Sequence, residues 1–418
     1  MSERNRVVVT GMGLLTAVGL DVEGTWSALR AGRGGVAPIT LFDATDQPVR
    51  FAAEVKDFDP ERYMDRKEVK RADRFLQLAM AAADQAMRQA GLDDHTAETP
   101  SDRMGVIIGS GIGGLTTLEA QHSKLLERGP GRVSPFFIPM FIADMAPGMI
   151  SMRYGARGPN YATVSACASS AHALGLALRS LRNGEADVMI SGGTESTVTP
   201  LCMAGFASMK ALSERNDDPA RASRPFDADR DGFVLGEGAA VLVLETLSHA
   251  RERGATILGE FAGFGQSADA YHMTAPVPGG AGAQLAMRNA LSDAGVDVGD
   301  IDYVNAHGTS TPANDATETA AIRELFGEYA DDLLVSSTKS MTGHTLGAAG
   351  AIESAICLLA CRDGIVPPTI NYETPDPECD LNYAPNEALT RDIDVALSNS
   401  FGFGGHNVAL VVKRWEEE

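Results

Sequence analysis

Short aliphatic and β-branched runs punctuate the chain at Val7 to Thr10, Gly105 to Ile108, Val188 to Ile190, Val241 to Leu244, Tyr303 to Asn305 and Val335 to Ser337. Between them lie Ala- and Leu-rich stretches whose apolar residues recur three and four positions apart, as at Ala171, Leu174, Leu178 and Leu181. Brief uninterrupted apolar runs fit strands covered on both faces, and the longer period fits helices packed over them. The alternation predicts an α/β fold with mainly parallel strands.

The pattern also repeats. A helical stretch closing on Gln89-Ala90-Gly91-Leu92 precedes the strand at Val106, and one closing on Asp293-Ala294-Gly295-Val296 precedes the strand at Tyr303. Helices ending at Arg182-Asn183-Gly184 and Arg362-Asp363-Gly364 form a second matched pair, with a longer insertion in the first half. A strand restarts after Arg251 to Ala255, which divides the chain into halves 1–255 and 256–418. Two facing copies of one layered unit could share a site that draws its nucleophile from one copy and its acid–base groups from the other.

Composition narrows the function classes. With 418 residues, 44% hydrophobic and 22% charged, a chain of this size buries about three quarters of its unfolded surface, enough for a deep, dry site. A formal net charge of -21 argues against nucleic acid or an anionic membrane as partner. No stretch reaches the ~18 uncharged apolar residues of a membrane span, and Met1 to Gly13 lacks the signal-peptide pattern, so a cytoplasmic location is expected. The five cysteines are odd in number and include no C-x-x-C pair, which argues against disulfides and zinc or redox motifs.

Cys167 stands in Val164-Ser165-Ala166-Cys167-Ala168-Ser169-Ser170, small residues that open the helix running to Gly184. Unpaired amides and the helix dipole there favour thiolate, and the small neighbours admit a bulky thioester. Taken alone, Cys167 could equally be a buried structural cysteine. Two histidines change that reading: His307 in Asn305-Ala306-His307-Gly308-Thr309-Ser310-Thr311, and His344 in Ser337-Thr338-Lys339-Ser340-Met341-Thr342-Gly343-His344. Both follow a predicted strand and enter a Gly/Ser/Thr-rich turn, the usual exit for catalytic side chains in α/β folds. In Ser398-Asn399-Ser400-Phe401-Gly402-Phe403-Gly404-Gly405-His406-Asn407 a strand meets a glycine-rich turn. That turn reads either as a plain hairpin or as a lid whose Phe403 amide serves an oxyanion.

These segments, with Asp229-Arg230-Asp231-Gly232-Phe233-Val234-Leu235-Gly236-Glu237-Gly238, resemble the β-ketoacyl-[acyl carrier protein] synthases, above all the elongating enzymes of type II fatty-acid synthesis. The similarity runs from Val9-Thr10-Gly11-Met12-Gly13 to Asn407. It implies a thiolase-like, duplicated five-layered α-β-α-β-α fold, a homodimer, and decarboxylative condensation of an acyl thioester with malonyl-acyl carrier protein. On that resemblance Cys167 carries the acyl chain, His307 and His344 bind the malonyl thioester carbonyl, Lys339 acts electrostatically beside them, and Phe403 shares the oxyanion hole. Thr309 and Thr311 match positions that bind the phosphopantetheine arm; Phe401, Ile112 and Phe137 match substrate-binding positions, Phe137 reaching across the dimer. Asn305, Glu353, Ser398 and Asn399 match a structural Na⁺ or K⁺ site, with no other cofactor implied. His406 and Ser165 depart from the family, where threonine is usual at both.

The resemblance also implies that an acidic carrier protein docks on Lys67, Lys70 and Arg71, with Lys210 as a further contact. The sequence around them reads as one helix from Asp65 through Met80, with Lys67, Lys70, Arg71 and Arg74 on a single face. Alternatively, that stripe is merely a solvated surface. Other readings are weaker. Gly109-Ser110-Gly111-Ile112-Gly113-Gly114 fits a dinucleotide fingerprint but lacks the later acidic strand end, and Asp227 to Gly232 imitates a calcium loop whose final glutamate comes too early. Cys357 and Cys361 read as core. A polyketide ketosynthase remains an alternative. A thiolase would need a second catalytic cysteine, for which Cys379 lacks the setting, and a non-catalytic chain-length subunit would lack Cys167.

Overall fold

The computed structural model describes residues 6–99 and 101–417. In the first half, β1 (Val7–Leu15), β2 (Met104–Gly109), β3 (Asn160–Thr163), β4 (Val188–Glu195) and β5 (Gly238–Thr246) form the sheet. In the second, β6 (Gly259–Ala268), β7 (Tyr303–Asn305), β8 (Leu334–Ser336), β9 (Val395–Gly402) and β10 (His406–Lys413) do the same. Across the whole sheet the order is β8-β7-β9-β10-β6-β1-β5-β4-β2-β3. Counted within its own half, each side reads third, second, fourth, fifth, first from rim to centre.

Strand direction repeats too. The second strand pairs in parallel with the third and fourth, whereas the fifth opposes both the fourth and the first. The expected parallel arrangement therefore applies to four strands in each half, and the fifth returns against them. At the centre of the sheet, among the described residues, β1 and β6 join the halves through two antiparallel residue pairs, Val8 with Glu260 and Val9 with Gly259.

Five helices complete the layers: α1 (Arg74–Ala90), α2 (Ser169–Arg182), α3 (Ala281–Ala294), α4 (Pro312–Phe326) and α5 (Ala349–Asp363). α1 covers the outer face of the first half, and α3 covers that of the second. α2 and α5 pack on each other and on strands of both halves. The result is the five-layered α-β-α-β-α arrangement. Position dictates composition: α1 is amphipathic, whereas every residue of α5 from Ala349 to Cys361 is buried, as a helix enclosed on all sides must be. Truncating a central side chain such as Leu358 to alanine removes packing worth about 2–5 kcal/mol.

The basic run before α1 departs from the single helix expected. Asp65 caps one short turn, Arg66–Val69, and Asp73 caps α1 afresh. Arg74 turns inward to bond Glu237 and the Val55 carbonyl. It therefore leaves the exposed stripe to Lys67, Lys70 and Arg71.

Candidate active site

Loops at corresponding strand ends supply the central residues. Between β3 and α2 the chain makes a tight turn in which Ala166 adopts φ 50, a left-handed conformation uncommon for a residue with a side chain. The Ser169 hydroxyl pins this turn by accepting from Ser165 N–H and donating to the Ala166 carbonyl. Cys167 follows and lies at a cavity of about 560 Å³. Between β8 and α5 come Lys339 and His344. The Nε2 of His344 lies 3.0 Å from the Cys167 sulfur.

His307 leaves the end of β7. The N–H groups of His307 and Gly308 each donate at 2.8 Å to the carboxylate of Glu318 on α4, so the backbone is fixed while the imidazole remains free. Its ring stands edge-on to His344, with centroids 5.2 Å apart. Phe401 flanks His307 and Phe233 flanks His344. One donor atom from each of Cys167, His307 and His344 falls within 4.8 Å of the other two. The two halves thus meet at one thiol and two imidazoles.

Electrostatics correct one expectation. Burial pushes the Cys167 thiol up to about 12, against the opposing influence of the Lys339 ammonium and the nearby N–H groups. The helix start therefore does not leave a resting thiolate; desolvation outweighs it. Burial, together with Lys339, holds both histidines well below the usual imidazole range and therefore neutral. Lys339 is itself buried and paired with Glu353 on α5, whose carboxyl is raised by burial to about 7 despite that cation.

The turn 403–405 between β9 and β10 closes over the thiol. The N–H groups of Cys167 and Phe403 favour the ionised form of the thiol, and such backbone donors beside the nucleophile are the groups that would receive a thioester oxyanion. At Gly402 a Cβ would come within 2.7 Å of the Ser165 carbonyl, so only glycine permits this approach to the nucleophile turn. On its far side the turn is tied to residues 269–273: Gly404 N–H donates to Met273 O, and Asn407 to Asp269.

The remaining candidates separate clearly. Ile112, Phe401, Thr309 and Thr311 line the cavity, and the two threonine hydroxyls lie 2.9 Å apart. Phe137 does not line it; this ring is half-buried on a short outer helix and stacks on Phe141. Lys210 is exposed at the cavity wall, whereas Lys67, Lys70 and Arg71 are exposed elsewhere, Arg71 over the Phe136 ring.

The side chains of Asn305, Ser398 and Ser400 and the second oxygen of Glu353 are buried without a hydrogen-bond partner. Asn305 and Ser398 pair across β7 and β9. Asn399, the next residue along β9, sends its amide to the opposite face, where it bonds Glu318 and Met287. Its Oδ1 is buried without a partner, as is the Ser400 hydroxyl.

Several functional residues escaped the sequence. Glu318 and Glu195 resemble ordinary acidic residues, yet both are fully buried and organise loops. Glu195, at the end of β4, accepts from Gly111 N–H at 2.7 Å, Ile112 N–H, the Ser110 hydroxyl and Gly347 N–H. The glycine loop that imitates a dinucleotide fingerprint is thus already occupied by an internal carboxylate. For Glu318 a signal existed: Asp315, Glu318, Thr319 and Ile322 share the buried face of α4. Asp227 is likewise consumed, by Arg224 and the N–H groups of Glu373 and Thr374. Cys379 lies in the second-half core and does not line the cavity.

Comparison with known proteins agrees with this geometry. The beta-ketoacyl synthase N-terminal domain matches residues 4–250, and the beta-ketoacyl synthase C-terminal domain matches residues 258–373. A relative from Synechocystis sp., named 3-oxoacyl-[acyl-carrier-protein] synthase 2, is 55% identical over 414 residues, 99% of each chain. Among solved structures, the ishigamide ketosynthase/chain length factor superposes with a TM-score of 0.92 at 37% identity, covering 99% of this chain and 100% of that one. A type II polyketide acyl-carrier protein in complex with its ketosynthase gives 0.90 at 34% identity over 99% and 100% of the two chains. By its sequence along nearly its whole length, and by its fold, the chain belongs to the β-ketoacyl synthase family.

Proposed function

We propose that this enzyme extends acyl chains in fatty-acid synthesis by condensing an acyl thioester with malonyl-acyl carrier protein, losing CO2 and yielding a 3-oxoacyl-acyl carrier protein. One observation carries the reading: a thiol, two neutral imidazoles and two amide donors converge at the base of one cavity. The 55% identical relative bears the corresponding name. Polyketide chemistry is the second reading, supported by ketosynthase structures at lower identity.

The chemistry follows from the neutral resting state. As the Cys167 sulfur attacks the acyl thioester, its proton passes to Nε2 of His344, 3.0 Å away. Charge gathers on the carbonyl oxygen, which the Cys167 and Phe403 N–H groups receive. Collapse forms the Cys167 thioester and expels the carrier's thiolate, which takes the proton back. In the second half-reaction His344 has exchanged to the tautomer with its single proton on Nε2, and this N–H, with that of His307, donates to the malonyl thioester carbonyl. The bond to CO2 breaks, its electron pair enters the enolate, and the nucleophilic carbon attacks the Cys167 thioester. A carbon–carbon bond forms, and Cys167 leaves as thiolate and is reprotonated. Burial, reinforced by Lys339, keeps both imidazoles neutral at rest.

Thr309 and Thr311 line the path of the phosphopantetheine arm in this reading, and Ile112, Phe401 and the partner's copy of the Phe137 region border the acyl chain. The carrier protein docks on Lys67, Lys70, Arg71 and Lys210, complementing its acidity. A homodimer is supported by β3, a sheet edge with exposed Tyr161, flanked by exposed Ile138, Met152 and Val164. A monovalent cation fits among Asn305, Glu353, Ser398 and Asn399, with the unpaired Ser400 hydroxyl as a further ligand, where it would neutralise the free Glu353 oxygen and brace the strands behind Lys339. No described helix is long and apolar enough to cross a membrane; we assign the enzyme to the cytoplasm with its carrier protein. Intact-mass spectrometry after incubation with acyl carrier proteins of graded chain length tests the core claim. An acyl adduct on Cys167, discharged by malonyl-acyl carrier protein, is expected; loading elsewhere or none would overturn it.

A further inference from the structure

We propose that the Cys167, His307 and His344 cluster is also a binding site for a thiophilic divalent cation, zinc foremost, which reversibly takes the nucleophile out of service. Among the described residues, this is the one group of three His, Cys, Asp or Glu side chains whose ligand atoms all lie within 4.8 Å of one another. One sulfur and two imidazole nitrogens make the soft, mixed donor set that zinc favours. Three protein ligands leave the fourth tetrahedral position open to water from the cavity. Nε2 of His344 already lies 3.0 Å from the sulfur, and the His307 ring centroid is 5.2 Å from that of His344.

Protonation suits the metal. A neutral imidazole offers one lone pair to a metal. Only the thiol must change: zinc displaces the Cys167 proton, a zinc–sulfur bond forms, the proton passes to solvent, and nothing is oxidised or reduced. The metal thiolate adds one positive charge to the site. Lys339 opposes this addition, but it is already paired with Glu353, and Glu195 and Glu318 supply further carboxyl groups nearby. Because the sulfur is the shared atom, metal and acyl chain exclude each other. Zinc thus becomes a competitive inhibitor of acyl loading, released by chelators.

The test uses the full-length enzyme without substrate, so its outcome is independent of the condensation reading. Cobalt(II) is expected to give a thiolate-to-metal charge-transfer band that zinc abolishes and that is missing from Cys167→Ser and from wild-type enzyme capped with iodoacetamide. Saturating zinc should slow Cys167 alkylation about tenfold or more, with full recovery in EDTA. His307→Ala should weaken zinc binding by roughly 10–100-fold, the scale on which tuned metal sites respond. With a net charge of -21, surface carboxylates will also attract cations. An unchanged cobalt spectrum in Cys167→Ser, or alkylation indifferent to zinc, would assign the metal to that surface and overturn the proposal.

Discussion

The two halves share strand order and direction, yet equivalent strand ends hold different chemistry. After its third strand the first half presents Cys167 ahead of α2, and the second presents Lys339 and His344 ahead of α5. After its second strand the first half forms the loop 110–114, and the second forms the His307 loop. A buried carboxylate organises each of these latter loops, Glu195 in one and Glu318 in the other. In the first case backbone and hydroxyl donors are used up and the loop becomes a pocket wall. In the second, only backbone is used and an imidazole is left to react. Duplication supplies matching exits; what reacts is decided by which groups at each exit are still unsatisfied.

Breaking each half separately should therefore abolish different steps. The largest effect is expected from Cys167→Ala: loss of acyl adduct by mass spectrometry and of condensation by about 10³-fold or more. Decarboxylation of malonyl-acyl carrier protein should persist, because the second-half histidines remain. His307→Ala should do the converse. Acyl loading continues, whereas CO2 release, followed with labelled malonyl substrate, falls about 10²–10³-fold through loss of a donor to the developing charge. If both variants lost both steps equally, the division of labour between the halves would be wrong.

Much of this division was legible in sequence because it depends on local chemistry. A cysteine at a helix start and histidines at strand ends announce themselves, as do the matched helix endings that reveal the repeat. What was hidden depends on contacts between distant segments. Arg74 looks like one more basic residue until Glu237, 163 positions away, draws it inside. Glu195 reads as a surface acid until amides 83 to 152 positions away converge on it. The thiol's resting state was hidden in the same way, since burial, which only the assembled fold creates, outweighs the helix start.

Lys339 sharpens the comparison, because its charge belongs to the second half but acts on both. Lys339→Met leaves Glu353 buried without its partner, and a stability loss of about 3–5 kcal/mol by denaturant titration is expected. Lys339→Met/Glu353→Gln should recover part of it. Removing the cation also relieves one force keeping His307 and His344 neutral. The acid limb of the activity profile should accordingly move to higher pH; a shift to lower pH would contradict the assignment.

Acid should also distinguish the halves. In the unfolded chain histidine titrates near 6.5, whereas folded His307 and His344 resist protonation. Below that pH the unfolded state binds more protons, so stability falls with pH by up to about 1.4 kcal/mol per unit for each histidine. In the first half, burial would raise Glu245, but bonds from Arg253, His249 and Thr10 lower it to about 2. Its stabilisation is complete above the unfolded carboxyl range and lost only as pH falls toward 2. The raised Glu353 carboxyl works in the opposite direction and the lowered His172 in the same one, so the test is the difference between proteins: His307→Asn/His344→Asn should lose less stability than wild type on acidification below pH 6.5, with the loss toward pH 2 unaltered.

The smallest effect concerns carrier docking, for which the duplication provides its own control. Lys67 and Arg71 are exposed just before α1, and α3 is the equivalent outer helix of the second half, bearing exposed Arg288. Lys67→Glu/Arg71→Glu should raise the KM for acyl carrier protein about tenfold with kcat nearly unchanged, because exposed charges govern encounter more than chemistry. The difference should shrink as salt rises toward the ~3 Å screening length of 1 M. Arg288→Glu also makes the same acidic protein more negative, by two charges against four, on the outer helix of the other half. If it raised KM equally, overall charge would explain the result; if KM responds only to the first-half reversal, docking belongs to that surface.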